Sequence, residues 1–184
     1  MDLFPQAVAA ARERTGGEFV CANLESLPVR ADFDLVTAFD VIEHLDEPVV
    51  ALRSLRAVMK PSAWLVVTVP AHRWLWSAVD VEAHHRRRYT RRALRNELEQ
   101  AGFKVDSIRA FMGLLLPAMM TKRVIGSRLR LPWRPARRSS IRSELSPPVL
   151  VNRLIEVLLA PESLLIRKRV GMPIGTSLVG IARI

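Results

Sequence analysis

Apolar and polar positions along the first 110 residues alternate between a helical period and a strand-like one. Pro5 can open a helix, which the alanine-rich stretch Gln6 to Arg14 continues until Thr15-Gly16-Gly17 stops it. Glu18 to Ala22 reads as a short strand, followed by a loop through Pro28. Phe33 to Phe39 (FDLVTAF) has the uninterrupted character of a strand buried on both faces. After Asp46-Glu47-Pro48, a helix places Val49, Leu52, Leu55 and Met59 on one side. Lys60 to Ala63 reads as a turn and Trp64 to Val69 as another fully apolar strand. Pro70 to Tyr89 is a long loop. Thr90 then caps a helix with Leu94, Leu98 and Ala101 in one row, closed by Gly102, and Phe103 to Ala110 is a further strand. Strands separated by crossover helices predict an α/β fold with a mostly parallel, doubly wound sheet.

Beyond this point the pattern changes. Leu114 to Arg130 reads as helical and basic, and Leu131 to Pro148 as a loop rich in Pro, Arg and Ser. Val149 to Arg167 reads as an amphipathic helix broken near Pro161, and Ser177 to Ala182 as a last strand. The expected division is a partial core over 1–110, a helical, basic insertion or lid over 111–174, and a terminal strand over 175–184 that completes the core.

Composition narrows the setting. The chain is 49% hydrophobic over 184 residues, enough for one sizeable core. Its single cysteine, Cys21, supplies neither a disulfide framework nor a thiolate metal cluster, which suits a reducing, cytoplasmic location. The start, Met1-Asp2-Leu3-Phe4-Pro5, lacks a secretory signal pattern. The most apolar stretch, Ala110 to Thr121, contains Pro117 and is too short to span a bilayer.

The net charge of +10 is concentrated. Between His84 and Arg142 there are 14 Arg and 2 Lys against Glu97, Glu99 and Asp106. Such a block suits an anionic membrane surface, a phosphate-bearing substrate, nucleic acid, or simply a solvated surface. Aromatics for stacking on bases are sparse there, so nucleic acid is the least favoured partner. The apolar segments 111–120 and 149–166 either cover the sheet as core helices or lie on a membrane.

Five motifs in order resemble class I S-adenosylmethionine-dependent methyltransferases of the ubiquinone-biosynthesis-like group. Asp2-Leu3-Phe4-Pro5-Gln6-Ala7 resembles D-L-S-P-E-A at the end of that family's second strand. Cys21 to Pro28 (CANLESLP) resembles the loop after the third, and Phe33 to Glu47 (FDLVTAFDVIEHLDE) the fourth strand and its exit. Lys60 to Pro70 (KPSAWLVVTVP) resembles the K-P-G-G turn and fifth strand; Thr90 to Val105 resembles the next helix and sixth strand. The resemblance implies a Rossmann-like sheet in the order 3-2-1-4-5-7-6 with S-adenosylmethionine across the switch point. It further implies an N-terminally truncated version, without the first strand and most of the second, and with a helical segment added before the last strand. No G-x-G-x-G run occurs in the 184 residues.

By that resemblance, Asp2 accepts from the ribose hydroxyls with Leu3 beside it, Asn23 accepts from the adenine amino group, and Leu24 flanks the ring. Phe39 and Asp40 lie where the fourth strand exits toward the sulfonium, with His44 adjacent to the cofactor. His84 to Tyr89 resembles a segment, often G-H-x-R-x-Y-T, that faces the acceptor. His84 stands where glycine is usual, His85 is the candidate base, and Arg86, Arg88 and Tyr89 are candidate acceptor contacts with His72. No metal motif emerges, because adjacent histidines do not readily face one ion. The expected activity is methyl transfer to a small-molecule or lipid-like acceptor, compromised by the missing glycine loop. The alternatives are a non-catalytic remnant and a basic module that binds membranes or nucleic acid.

Overall fold

A proline in a first helical turn costs no hydrogen bond, and Pro5 opens helix α1 (Pro5–Arg14) in this way; the Thr15 N–H then donates to the Ala11 carbonyl at 3.1 Å as the helix ends. The computed structural model describes residues 4–27, 32–114 and 172–184, with positions 116, 117, 120, 153, 157, 159–162 and 165, which are helical except where the chain turns near 114. Asp2 and Leu3, the loop 131–148, and most of the helices expected over 114–130 and 149–167 lie outside the described residues. The chain divides into two compact units, residues 1–108 with 178–184, and residues 109–177.

Four strands form one sheet: β1 (Phe33–Phe39), β2 (Met59–Pro70), β3 (Lys104–Phe111) and β4 (Ser177–Arg183), in the order β1-β2-β4-β3. This is the 4-5-7-6 half of the expected order. Helix α2 (Pro48–Ala57) carries the chain from β1 to β2, which run parallel with Leu35 opposite Trp64 and Phe39 opposite Thr68. Strand β4 runs against β2. The Ile184 N–H donates to Ala63, Arg183 lies over the Trp64 ring, and Gly180 meets Val67, so one number falls as the other rises. Helix α3 (Ala78–Glu82) interrupts the loop after β2, and α4 (Arg91–Gln100) precedes β3.

The core forms where β2 is central. Leu65, Val67 and Val69 point to one face and are fully buried, and Leu94 and Leu98 of α4 bury against the same face. Each such leucine contributes about 1.5–3 kcal/mol of burial. Thr90 caps α4 by accepting from the Ala93 N–H at 3.1 Å, and Gly102 leaves it with φ +89°. Arg53 and Arg56 of α2 donate to the carbonyls of Gln100 and Gly102 at 3.1 and 3.2 Å, joining the two helices.

Four expectations change. Glu18 to Ala22 is no strand; of these residues Cys21 alone makes a β-bridge. Lys60 to Ala63 is not a turn between elements but a bulge within β2: two steps along β1, from Phe33 to Leu35, face five along β2. Met59 accordingly sits in β2 rather than α2. Strand β1 is far from buried on both faces, with Leu35 and Phe39 more than half exposed. Among the described residues it is an edge with one neighbour. No helix among the described residues is long and apolar enough to cross a membrane.

Candidate active site

At the sheet's carboxyl end two chain exits lie side by side. Asp40 leaves β1 with φ +49°, its N–H donating to the Thr68 carbonyl at 3.0 Å, and leads into a 3-10 turn over Ile42–His44. His72 leaves β2 with φ +60°, anchored by its N–H on the Tyr89 carbonyl at 3.0 Å. His84, where the resembling segment has glycine, takes φ +57°, in the left-handed region that glycine favours. Three of the five non-glycine residues with positive φ among the described residues thus stand here, the others being Ser62 in the β2 bulge and Met112 after β3.

Asp80 organises the second exit. It belongs to a capping box: the Ser77 N–H and hydroxyl both donate to Asp80 Oδ2, at 2.7 and 3.0 Å. The same carboxylate accepts from Arg88 Nε at 2.7 Å and Nη2 at 3.1 Å, and pairs with His85 Nδ1 at 3.0 Å. Burial alone would raise its pKa, but the hydrogen bonds from Arg88, His85 and Ser77 hold it down to about 2. Arg88 also donates from Nη1 to the Ala71 carbonyl at 3.0 Å. All three of its guanidinium nitrogens therefore donate within the fold, so Arg88 anchors the loop.

The loop is stitched to the turn after β1. The Arg86 N–H donates to the Glu43 carbonyl at 2.9 Å, Arg86 Nε to His44 at 2.9 Å, and Arg87 Nη2 to Leu45 at 2.8 Å and Asp46 at 2.9 Å. These bonds bring the His44 and His85 rings to 4.8 Å, edge to face. Burial, with the His85 charge adding, lowers the His44 pKa. Beneath them Glu43 is fully buried, and neither of its carboxylate oxygens has a hydrogen-bond partner. Burial pushes its pKa up to about 7.

Tyr89, also fixed inside, donates its hydroxyl to Glu97 Oε2 at 2.9 Å. Burial raises the pKa of both groups. Tyr89→Phe is expected to cost about 1–3 kcal/mol by leaving a half-buried carboxylate without its donor. Urea denaturation measures it; an unchanged midpoint would show that water replaces the phenol.

Two cavities open here. The larger, about 1030 Å³, is lined by Asn23, Leu24, Asp40, His44, His85 and Arg86 among others. The smaller, about 630 Å³, is lined by Arg73, Arg86, Arg87, Arg88, Tyr89 and Glu97 with their neighbours. Trp76 and Arg86 belong to both. Six of the candidate residues therefore share one cavity. Phe39 and His72 do not line it: Phe39 sits on the exposed edge strand, and His72 packs by Trp74 with a buried Nε2 that has no partner. Asn23 Oδ1 accepts the Glu25 N–H at 3.0 Å, so part of its acceptor capacity already caps the loop.

Sequence reasoning missed Asp80 and undervalued Glu43. The signal for Asp80 was present as Ser77-x-x-Asp80, a helix-start pattern. Glu43, His44 and His85 become neighbours only through the fold, with one potential ligand atom of each within 4.8 Å of the others.

A family model described as a methyltransferase domain matches residues 2–108. A candidate methyltransferase from Bacillus halodurans superposes with a TM-score of 0.60 at 16% identity, over 99% of this chain and 80% of that one. A SAM-dependent methyltransferase from Thermotoga maritima gives 0.58 at 17%, over 97% and 69%. A candidate methyltransferase solved with the Haloferax volcanii Trm112 methyltransferase activator gives 0.56 at 16%, over 97% and 67%. No curated protein matches. The fold is the Rossmann-like one of class I methyltransferases. The chain belongs to the methyltransferase-domain family.

Proposed function

We propose that the chain serves methyl transfer from S-adenosylmethionine to a small-molecule or lipid-like acceptor, in the cavity between the two chain exits. One observation carries this reading: residues expected on the cofactor side (Asn23, Leu24, Asp40, His44) and on the acceptor side (His85, Arg86) line the same space. Its volume is of the order of a drug-sized ligand site, about 1000 Å³ at the upper end. Asn23 and Leu24 would border the adenine, Asp40 and His44 the methionine end, and Asp2 with Leu3 the ribose.

When bound, the sulfonium supplies an already activated methyl group, so the protein's task is alignment and, for a hydroxyl acceptor, removal of a proton. His85 suits that task. Asp80 holds Nδ1, which leaves Nε2 as the nitrogen that takes the proton. Arg86, half-exposed and paired with Asp46 at 2.6 Å, offers its remaining donors to an anionic group. The basic stretch 84–142 supports contact with an anionic membrane surface.

A second reading is a non-catalytic remnant, in which this cavity holds no cofactor. Isothermal titration of S-adenosylmethionine into the 184-residue polypeptide and its Asp40→Ala variant tests both. Binding in the millimolar range that disappears in the variant is expected. Micromolar binding would remove the remnant reading; binding insensitive to Asp40→Ala would remove the assigned cavity.

A further inference from the structure

We propose that Glu43, His44 and His85 form a binding site for one divalent transition-metal ion of the zinc type. The starting observation is electrostatic. A carboxylate with no solvent exposure and no hydrogen bond to either oxygen has lost its hydration without replacement, and such groups in folded proteins are protonated, paired or bound to a metal. His44 and His85 supply two imidazoles beside it, and one donor atom from each of the three lies within 4.8 Å of the others.

A zinc ion with ligands at about 2.0–2.1 Å brings donors to within about 3.3 Å of one another, a contraction that side-chain rotation supplies. Two imidazoles and one carboxylate suit zinc, cobalt or iron rather than magnesium or calcium, which take oxygen ligands.

The surroundings are those of a supported ligand set. Asp80 fixes the His85 ring through Nδ1 and leaves Nε2 to ligate, so the ion-bound state excludes the proton-accepting role of His85 proposed above. Ser77 and Arg88 in turn fix Asp80. On the other side, Arg86 holds the backbone of both Glu43 and His44 through their carbonyls. His44 and His85 also line the larger cavity whereas Glu43 is sealed beneath, so the ion's open positions face that cavity. An oxygen there would meet a Lewis acid, which favours hydroxyl-bearing ligands. The metal site itself does not depend on methyl transfer, and its test reads the metal alone.

The test is equilibrium dialysis of the chelator-treated 184-residue chain against Zn²⁺, with bound metal counted by atomic emission and Co²⁺ substitution followed by visible absorption. One equivalent per chain is expected. Glu43→Gln and His85→Gln should each weaken uptake at least tenfold, while Cys21→Ser and His84→Gln leave it intact. Because a core variant can fail to fold, X-ray absorption at the zinc edge of the unaltered protein provides a second reading: a shell of nitrogen and oxygen containing two imidazoles is expected. No stoichiometric uptake, a sulfur ligand, or uptake that survives both Glu43→Gln and His85→Gln in folded variants overturns the proposal.

Discussion

Asp80→Ala is expected to destabilise the protein by about 3–5 kcal/mol, because it breaks a buried ion pair from one side only. The carboxylate has no side-chain exposure, and Arg88 retains 8%. Removing Asp80 leaves a guanidinium with only the Ala71 carbonyl as acceptor, uncaps α3 and releases the His85 ring. A urea titration should show a lower midpoint at unchanged slope. The double variant Asp80→Ala, Arg88→Met should recover part of the loss, since it removes the stranded charge. A single-variant loss below about 1 kcal/mol would mean that solvent reaches Arg88 and that the cluster is a surface one.

Gly180→Val should be the second most damaging change, at about 1–3 kcal/mol or more. A β-carbon at Gly180 would stand 3.0 Å from Val67 Cγ2, 3.3 Å from Leu94 Cδ2 and 3.5 Å from Leu98 Cδ1. All three neighbours are fully buried, so none can retreat into solvent. Gly180→Ala should cost less, and the gap between the two separates crowding from lost backbone freedom. Thermal unfolding read by circular dichroism measures both. Equal stability of Gly180→Val and the parent would show that β4 does not lie beneath α4.

How far the sequence anticipated this arrangement depends on whether the signal was local. Helix α4 was legible because its cap at Thr90, its row of Leu94 and Leu98 and its stop at Gly102 are all set within one short segment. Strand β4 was legible for the same reason. Helix α3 was missed because five residues carry too little periodicity, leaving only the Ser77 and Asp80 spacing to announce it. The burial of β1 was misjudged because apolar content records a preference for a neighbour and cannot say whether one is present. The candidate site was half legible. His44, His85 and Arg86 were each singled out, but the bond from Arg86 to His44 spans 42 residues and exists only because β1 and β2 end side by side. Arg88 carried the right charge for an anion, yet its three nitrogens are engaged by Asp80 and Ala71, partners that no sequence pattern tied to it.

The stitching of residues 84–88 onto the turn at 43–46 also limits how such an enzyme can diversify. Four hydrogen bonds from Arg86 and Arg87 end on main-chain carbonyls, so the two loops behave as one rigid piece. A change that reshapes the proposed acceptor wall at Arg86 also tugs on His44 at the proposed cofactor wall. New acceptor preferences are therefore reached more cheaply by altering chain outside this piece. The stretch between β3 and β4 is where variation among relatives should accumulate while the stitched pair stays constant.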